Sequence, residues 1–173
     1  GNVVTEITSW HGLDLMQTVG RVMAEFENLP MSLRPSEILV DSIGVGGGVV
    51  DRLRELGAPV RGINVGEAPA MGKTYMNLRA ELWFKTKGWL EDRSCKLPDN
   101  DQLLSELTAI RYSFTSSGKM KAESKDEMRK RGLKSPDLAD ALCLTMASDA
   151  ATALSGAMSS WKTAIKRNLK GIA

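Results

Sequence analysis

A single histidine, His11, is all that 173 residues contain, so a His-rich zinc site is excluded and a Ser-His-Asp triad would have to rest on that one side chain. Cysteine is almost as scarce. Cys95 and Cys143 lie far apart and outside any CxxC spacing, which fits reduced, structural thiols in a cytosolic protein. No apolar run reaches the length of a membrane span, and Gly1 to Glu6 show no signal-peptide pattern. An excess of one charge is missing too. The 23 Lys and Arg against 21 Asp and Glu leave a formal +2, so any nucleic-acid footprint has to be local. What remains is ordinary globular composition, 42% hydrophobic and 25% charged, in a length suited to one compact domain with a real core.

Two glycine-bearing stretches fall short of the nucleotide-binding motifs they suggest. In Gly44-Val45-Gly46-Gly47-Gly48, Val49 stands where the third glycine of GxGxxG belongs, so these glycines serve a close backbone approach or a tight turn. Gly72-Lys73-Thr74 is like the end of a phosphate-binding P-loop. Glu67, however, occupies the motif's first glycine position and Pro69 interrupts the amide cradle, so Gly66 to Thr74 reads as a mobile surface loop.

Periodicity supplies the elements. Val3 to Trp10 alternates and predicts a strand. Asp14 reads as the N-cap of an amphipathic helix bearing Leu15, Val19, Val22, Met23 and Phe26. Ile38-Leu39-Val40 suits a strand buried on both faces, Val49 to Leu56 a helix stopped by Gly57, and Val60 to Val65 another strand. This strand–helix–strand rhythm predicts an α/β fold with at least one parallel pair. Further helices are expected over Met76 to Thr86 and Asp101 to Ile110, then a hairpin of Tyr112 to Phe114 and Lys119 to Glu123, then an exposed charged helix over Ser124 to Gly132. Ser135 reads as an N-cap, with Pro136 opening a helix that is apolar nearly all round from Leu138 to Ala147 and so belongs in a core. An Ala/Ser-rich link follows at 148–160. A basic amphipathic tail at 161–173 sets Trp161, Ile165 and Leu169 among Lys162, Lys166, Arg167 and Lys170.

Three carboxylates stand out. Asp41 lies at the carboxyl end of a buried strand, the edge where ligands gather in open α/β sheets, although an aspartate there also forms turns. Asp140 sits in the middle of the apolar helix. Its burial unpaired would cost several kcal/mol, so a basic partner, protonation or a divalent cation has to offset it. Asp137, three residues earlier, shares that helical face. It serves the helix dipole or, with Asp140, a hard cation that prefers oxygen ligands.

In order along the chain, Val40-Asp41-Ser42-Ile43-Gly44-Val45-Gly46-Gly47-Gly48, Asn77-Leu78-Arg79-Ala80-Glu81-Leu82-Trp83 and Ser135-Pro136-Asp137-Leu138-Ala139-Asp140-Ala141-Leu142 resemble the C-terminal nuclease domain of tailed-phage terminase large subunits. The likeness runs to about Ala147. It implies a ribonuclease H-like fold, a mixed sheet flanked by helices, over 1–147. It also implies a two-metal endonuclease, using Mg²⁺ or Mn²⁺, that cleaves concatemeric double-stranded viral DNA during packaging. Asp41 and Asp140 match the family's second and last catalytic carboxylates. With Asp137 they are the expected metal ligands, while Glu123 and Lys125 fall in a stretch that runs near the site. The family's first catalytic aspartate lies on a strand upstream of a segment like Gly1 to Val4, so an N-terminally truncated sheet is expected. Lys125, Lys134, Lys162, Lys166 and Arg167 are the basic residues expected to meet DNA. The implied partners are the terminase ATPase domain, the small subunit and the portal, in the cytoplasm of the bacterial host and with no membrane. Three alternatives are a catalytically incomplete DNA-binding or packaging fragment, a resolvase or transposase-type nuclease of the same fold, and a nucleotide-binding α/β protein, which the failed glycine motifs disfavour.

Overall fold

The structure, a computed structural model, describes residues 2–148. Asp14 opens the first helix, α1 (Leu15–Asn28), with a reciprocal capping box: its carboxylate accepts from the Gln17 N–H at 2.8 Å, and the Gln17 side chain accepts from the Asp14 N–H at 3.0 Å. Strands β1 (Ile38–Asp41) and β2 (Val60–Ile63) pair in parallel from Ile38 opposite Val60 to Asp41 opposite Ile63, with α2 (Val45–Glu55) between them in sequence. Alternate strand residues face opposite ways. Ile38, Val40 and Val60 meet Val19 of α1 and Val49 and Leu53 of α2. Leu39 and Ile63 meet the second apolar cluster, which α3 (Leu78–Glu91), α4 (Asp101–Ala109) and α6 (Asp137–Leu144) supply through Leu82, Trp83, Leu103 and Leu142. The parallel pair is thus the middle of three layers.

The glycine run opens α2 rather than preceding it, so the helix starts at Val45 and not Val49. Gly44 takes φ +65° to make the turn. A Cβ on Gly46 would fall 1.8 Å from the Asp41 carbonyl oxygen. Glycine here lets the first turn of α2 press against the end of β1, which is the close-approach reading of the cluster. The P-loop look-alike makes no phosphate cradle either. Met71 in that loop donates its N–H to the buried Glu81 at 3.2 Å, and the next helix begins only at Leu78, where Asn77 accepts from the Ala80 N–H at 3.0 Å.

The hairpin forms as β3 (Tyr112–Phe114) and β4 (Met120–Ala122), antiparallel, and a second capping box between Ser124 and Glu127 starts α5 (Lys125–Lys130). At α6 the cap shifts by one residue. Pro136, not Ser135, is the N-cap, while Ser135 donates its hydroxyl to Asp137 at 2.7 Å. The Ala139 N–H is satisfied from α4 by Glu106 at 2.9 Å. Nor is the helix buried all round. Ala139, Leu142, Cys143 and Leu144 point inward, while Asp137, Ala141 and Thr145, at helical spacing, are exposed. Burial pushes the Cys143 thiol up to about 12, so it stays neutral and structural.

Two expectations are corrected. Val3 to Trp10 is not a strand: only Val3 bridges, to Lys96, and the partly buried residues Val4, Ile7 and Trp10 recur every third position instead of every second. An alternating sequence becomes a strand only where a partner ladder exists, and this segment has one bridge. The sheet is also not a single mixed one. Among the described residues there are two two-stranded sheets, one parallel and one antiparallel. The outer edge of β1 has no strand beside it among those residues, and nearby a cavity of about 560 Å³ is lined by Ser36, Leu39, Ala141 and Thr145. No helix among the described residues is long and apolar enough to cross a membrane.

Candidate active site

The carboxylate in the middle of the apolar helix is offset by a basic partner. Asp140 is 22% exposed, and its Oδ1 accepts three hydrogen bonds: from Arg79 Nε at 3.2 Å, Arg79 Nη2 at 3.1 Å and Trp83 Nε1 at 2.9 Å. Arg79 and Trp83 are four residues apart on α3, hence neighbours on one helical face. The guanidinium is itself anchored, donating through Nη1 to the Glu123 carbonyl at 2.6 Å and lying 5.8 Å from the centre of the Trp83 ring. The other oxygen of Asp140, Oδ2, faces the Lys125 ammonium at 3.4 Å.

Lys125 also reaches Asp137, at 3.6 Å, so one cationic head stands over two carboxylates. Asp137 is far more open, with 68% of its side chain exposed. Glu123 contributes only its backbone. Its carboxylate turns away to Arg131 at 2.7 Å and to the Arg111 N–H at 3.1 Å. Asp41 occupies the end of β1 and accepts from the Ile43 N–H at 3.1 Å, the turn-forming contact open to an aspartate in that position. Lys134 is exposed in the loop before α6, and Lys162, Lys166 and Arg167 lie outside the described residues. The geometry therefore brings together Asp137, Asp140 and Lys125, and it adds Arg79 and Trp83, which belong to the Asn77–Trp83 motif but to which no sequence pattern assigned a role at the site. The available signal was indirect: a carboxylate in an apolar helix demands a donor, and Arg79 with Trp83 forms an i, i+4 pair of strong donors.

Hard divalent cations need anionic oxygen donors. Among the described residues no group of three or more His, Cys, Asp or Glu side chains is gathered as a metal site. Two carboxylates do converge on one cationic side chain, since the Lys125 ammonium stands 3.6 Å from Asp137 Oδ1 and 3.4 Å from Asp140 Oδ2. With Oδ1 of Asp140 saturated, Oδ2 is the atom left for a metal ion. Asp137 and Asp140 would supply anionic oxygens to one divalent cation there, fewer than a group of three carboxylates would offer.

The sequence matches no family model and no curated protein. Solved structures do match it. The nuclease domain of the large terminase subunit gp2 of bacterial virus Sf6 superposes with a TM-score of 0.74 at 22% identity, over 86% of this chain and 79% of that one. A lysine-to-alanine mutant of that domain with manganese gives 0.74 at 21% identity, over 86% and 80%. The large terminase nuclease from thermophilic phage G20c with bound magnesium gives 0.53 at 20% identity, over 78% and 62%. The chain thus has a ribonuclease H-like α/β fold. More particularly, it has the fold of phage large-terminase nuclease domains, as the three sequence motifs implied.

Proposed function

We propose that this chain is the nuclease domain of a phage large terminase subunit, cutting concatemeric double-stranded viral DNA during genome packaging with Mg²⁺ or Mn²⁺. The observation that carries the reading is the convergence of Asp140 and Asp137 on one cation, on a fold shared with nuclease domains solved with manganese and magnesium. In this account Asp41 and Asp140 are the catalytic carboxylates, and Asp137 assists in holding metal. The ions supply a nucleophilic water and stabilise the leaving 3′-oxygen. The protein's own part is to present fixed anionic oxygens and to hold the phosphate backbone.

The open edge of β1 belongs to the same proposal. A central strand carrying a further carboxylate would pair there, beside Asp41, and cover the groove lined by Leu39, Ala141 and Thr145. The nuclease unit is taken as 1–147, followed by a link at 148–160 and a basic tail at 161–173. Lys125, Lys134, Lys162, Lys166 and Arg167 are assigned to phosphate contacts. The terminase ATPase domain, small subunit and portal are the proposed partners, in the cytoplasm of the bacterial host.

Supercoiled plasmid tests the reading, with the chain assayed alone and within the longest reading frame that encodes it. Mn²⁺ or Mg²⁺ should support nicking with little sequence preference, and EDTA should abolish it. Cleavage undiminished in EDTA refutes the metal nuclease. DNA binding with no cleavage by either form returns the chain to a non-catalytic packaging role, the reading favoured by the lack of a three-carboxylate cluster among the described residues.

A further inference from the structure

We infer that Arg79 and Trp83 are positioning residues, which pin Asp140 through Oδ1 so that Oδ2 alone is presented to a metal ion; the inference rests on the nuclease reading above. The distinguishing feature is asymmetry. An arginine that merely neutralises a carboxylate favours a fork-to-fork pair, with two parallel bonds to the two oxygens. Arg79 instead sends both Nε and Nη2 to the same oxygen, at 3.2 and 3.1 Å, and spends Nη1 on the Glu123 carbonyl at 2.6 Å. Trp83 adds a third donor to that oxygen at 2.9 Å. Three donors on Oδ1 exhaust its lone pairs and fix the rotation of the carboxylate. Among the described residues Oδ2 has only the Lys125 ammonium, at 3.4 Å, beyond the roughly 2.7–2.9 Å of a strong charge-assisted bond.

The supports are themselves rigid. Trp83 is buried, Arg79 is largely so, and both rise from a helix whose first turn is capped by Asn77. Partners that orient a metal-binding group in this way typically set affinity by roughly 10–100-fold. A purely structural role would show in melting temperature and leave metal affinity in the folded protein unchanged.

Isothermal titration of Mn²⁺ into the chain distinguishes these. Wild type should bind, and Asp140→Asn should abolish binding. Trp83→Phe keeps the ring and loses only the N–H, so affinity should fall about tenfold with the melting temperature little changed. Arg79→Lys keeps the charge and loses the paired Nε and Nη2 bonds, and should weaken binding by a similar factor. It is the second test should Trp83→Phe fail to fold. If wild type binds, Asp140→Asn does not, and both folded variants bind like wild type, positioning is overturned while the metal site stands. If wild type does not bind Mn²⁺, or if Asp140→Asn binds equally well, the metal reading falls and takes this inference with it.

Discussion

Asp140→Asn should remove metal-dependent DNA cleavage while leaving the protein folded and able to bind DNA. Loss of a direct ligand should exceed the roughly 10–100-fold that loss of an outer partner costs, a barrier increase of more than about 2.7 kcal/mol for a hundredfold. The fold should survive because the amide oxygen can still accept from Trp83 and Arg79, which supply three bonds to Oδ1 in the native protein. What the amide lacks is the anionic Oδ2 that faces Lys125. DNA binding should persist because phosphate contacts come from basic side chains. Asp137→Asn should have a smaller effect, since that carboxylate is 68% exposed and already accepts the Ser135 hydroxyl. Plasmid-nicking rates in Mn²⁺, with DNA binding measured in parallel, check both variants. Full activity of Asp140→Asn would end the assignment.

The second large effect is on stability, and it separates adjacent glycines. In Gly46→Ala the new methyl would lie 1.8 Å from the Asp41 carbonyl oxygen and 3.0 Å from its carbon, backbone that cannot rotate aside. Either α2 or the end of β1 must move. The cost should reach or exceed about 3 kcal/mol, the upper part of the usual overpacking range, which lowers Tm by roughly 6–12 °C in a domain of this size. Asp41 would move with the strand end, so cleavage should fall as well. Gly47→Ala meets only the Ser42 carbonyl oxygen, at 3.4 Å, an ordinary contact. It should gain most of the roughly 0.8–1.0 kcal/mol by which alanine exceeds glycine in a helix. Thermal melts of the two variants should therefore shift in opposite directions. Equal melting would mean that α2 does not press on β1 as described.

How much of this was legible in the sequence depends on the range of the interaction. The α1 cap at Asp14, the parallel pair around α2 and the hairpin rest on local periodicity and turn chemistry, and all three form. Val3 to Trp10 has the right local pattern and fails because a strand needs a neighbour that sequence cannot supply. The helix α6 reads as apolar nearly all round, yet its Asp137, Ala141 and Thr145 stripe is exposed, with Ala141 and Thr145 lining a cavity that Leu39 of β1 also lines. At the site, Asp140 announces itself as a charge out of place. The side chains that hold it lie 61 and 57 positions away, and no spacing rule connects them. Asp41 was legible first as a turn-former and less readily as a ligand, and the Ile43 contact shows the first without touching the second.

Diffraction from crystals of this chain grown with Mn²⁺, recorded at the manganese absorption edge, would show whether Asp140 holds a metal ion. An anomalous peak should appear bonded to Asp140 Oδ2, at the distance of about 2.1 Å typical of small hard cations. Asp137 should lie within reach of the ion, the Lys125 ammonium should be displaced, and Arg79 and Trp83 should remain on Oδ1. Manganese bound elsewhere, or no peak with Lys125 still spanning Asp137 and Asp140, would contradict a metal site at Asp140.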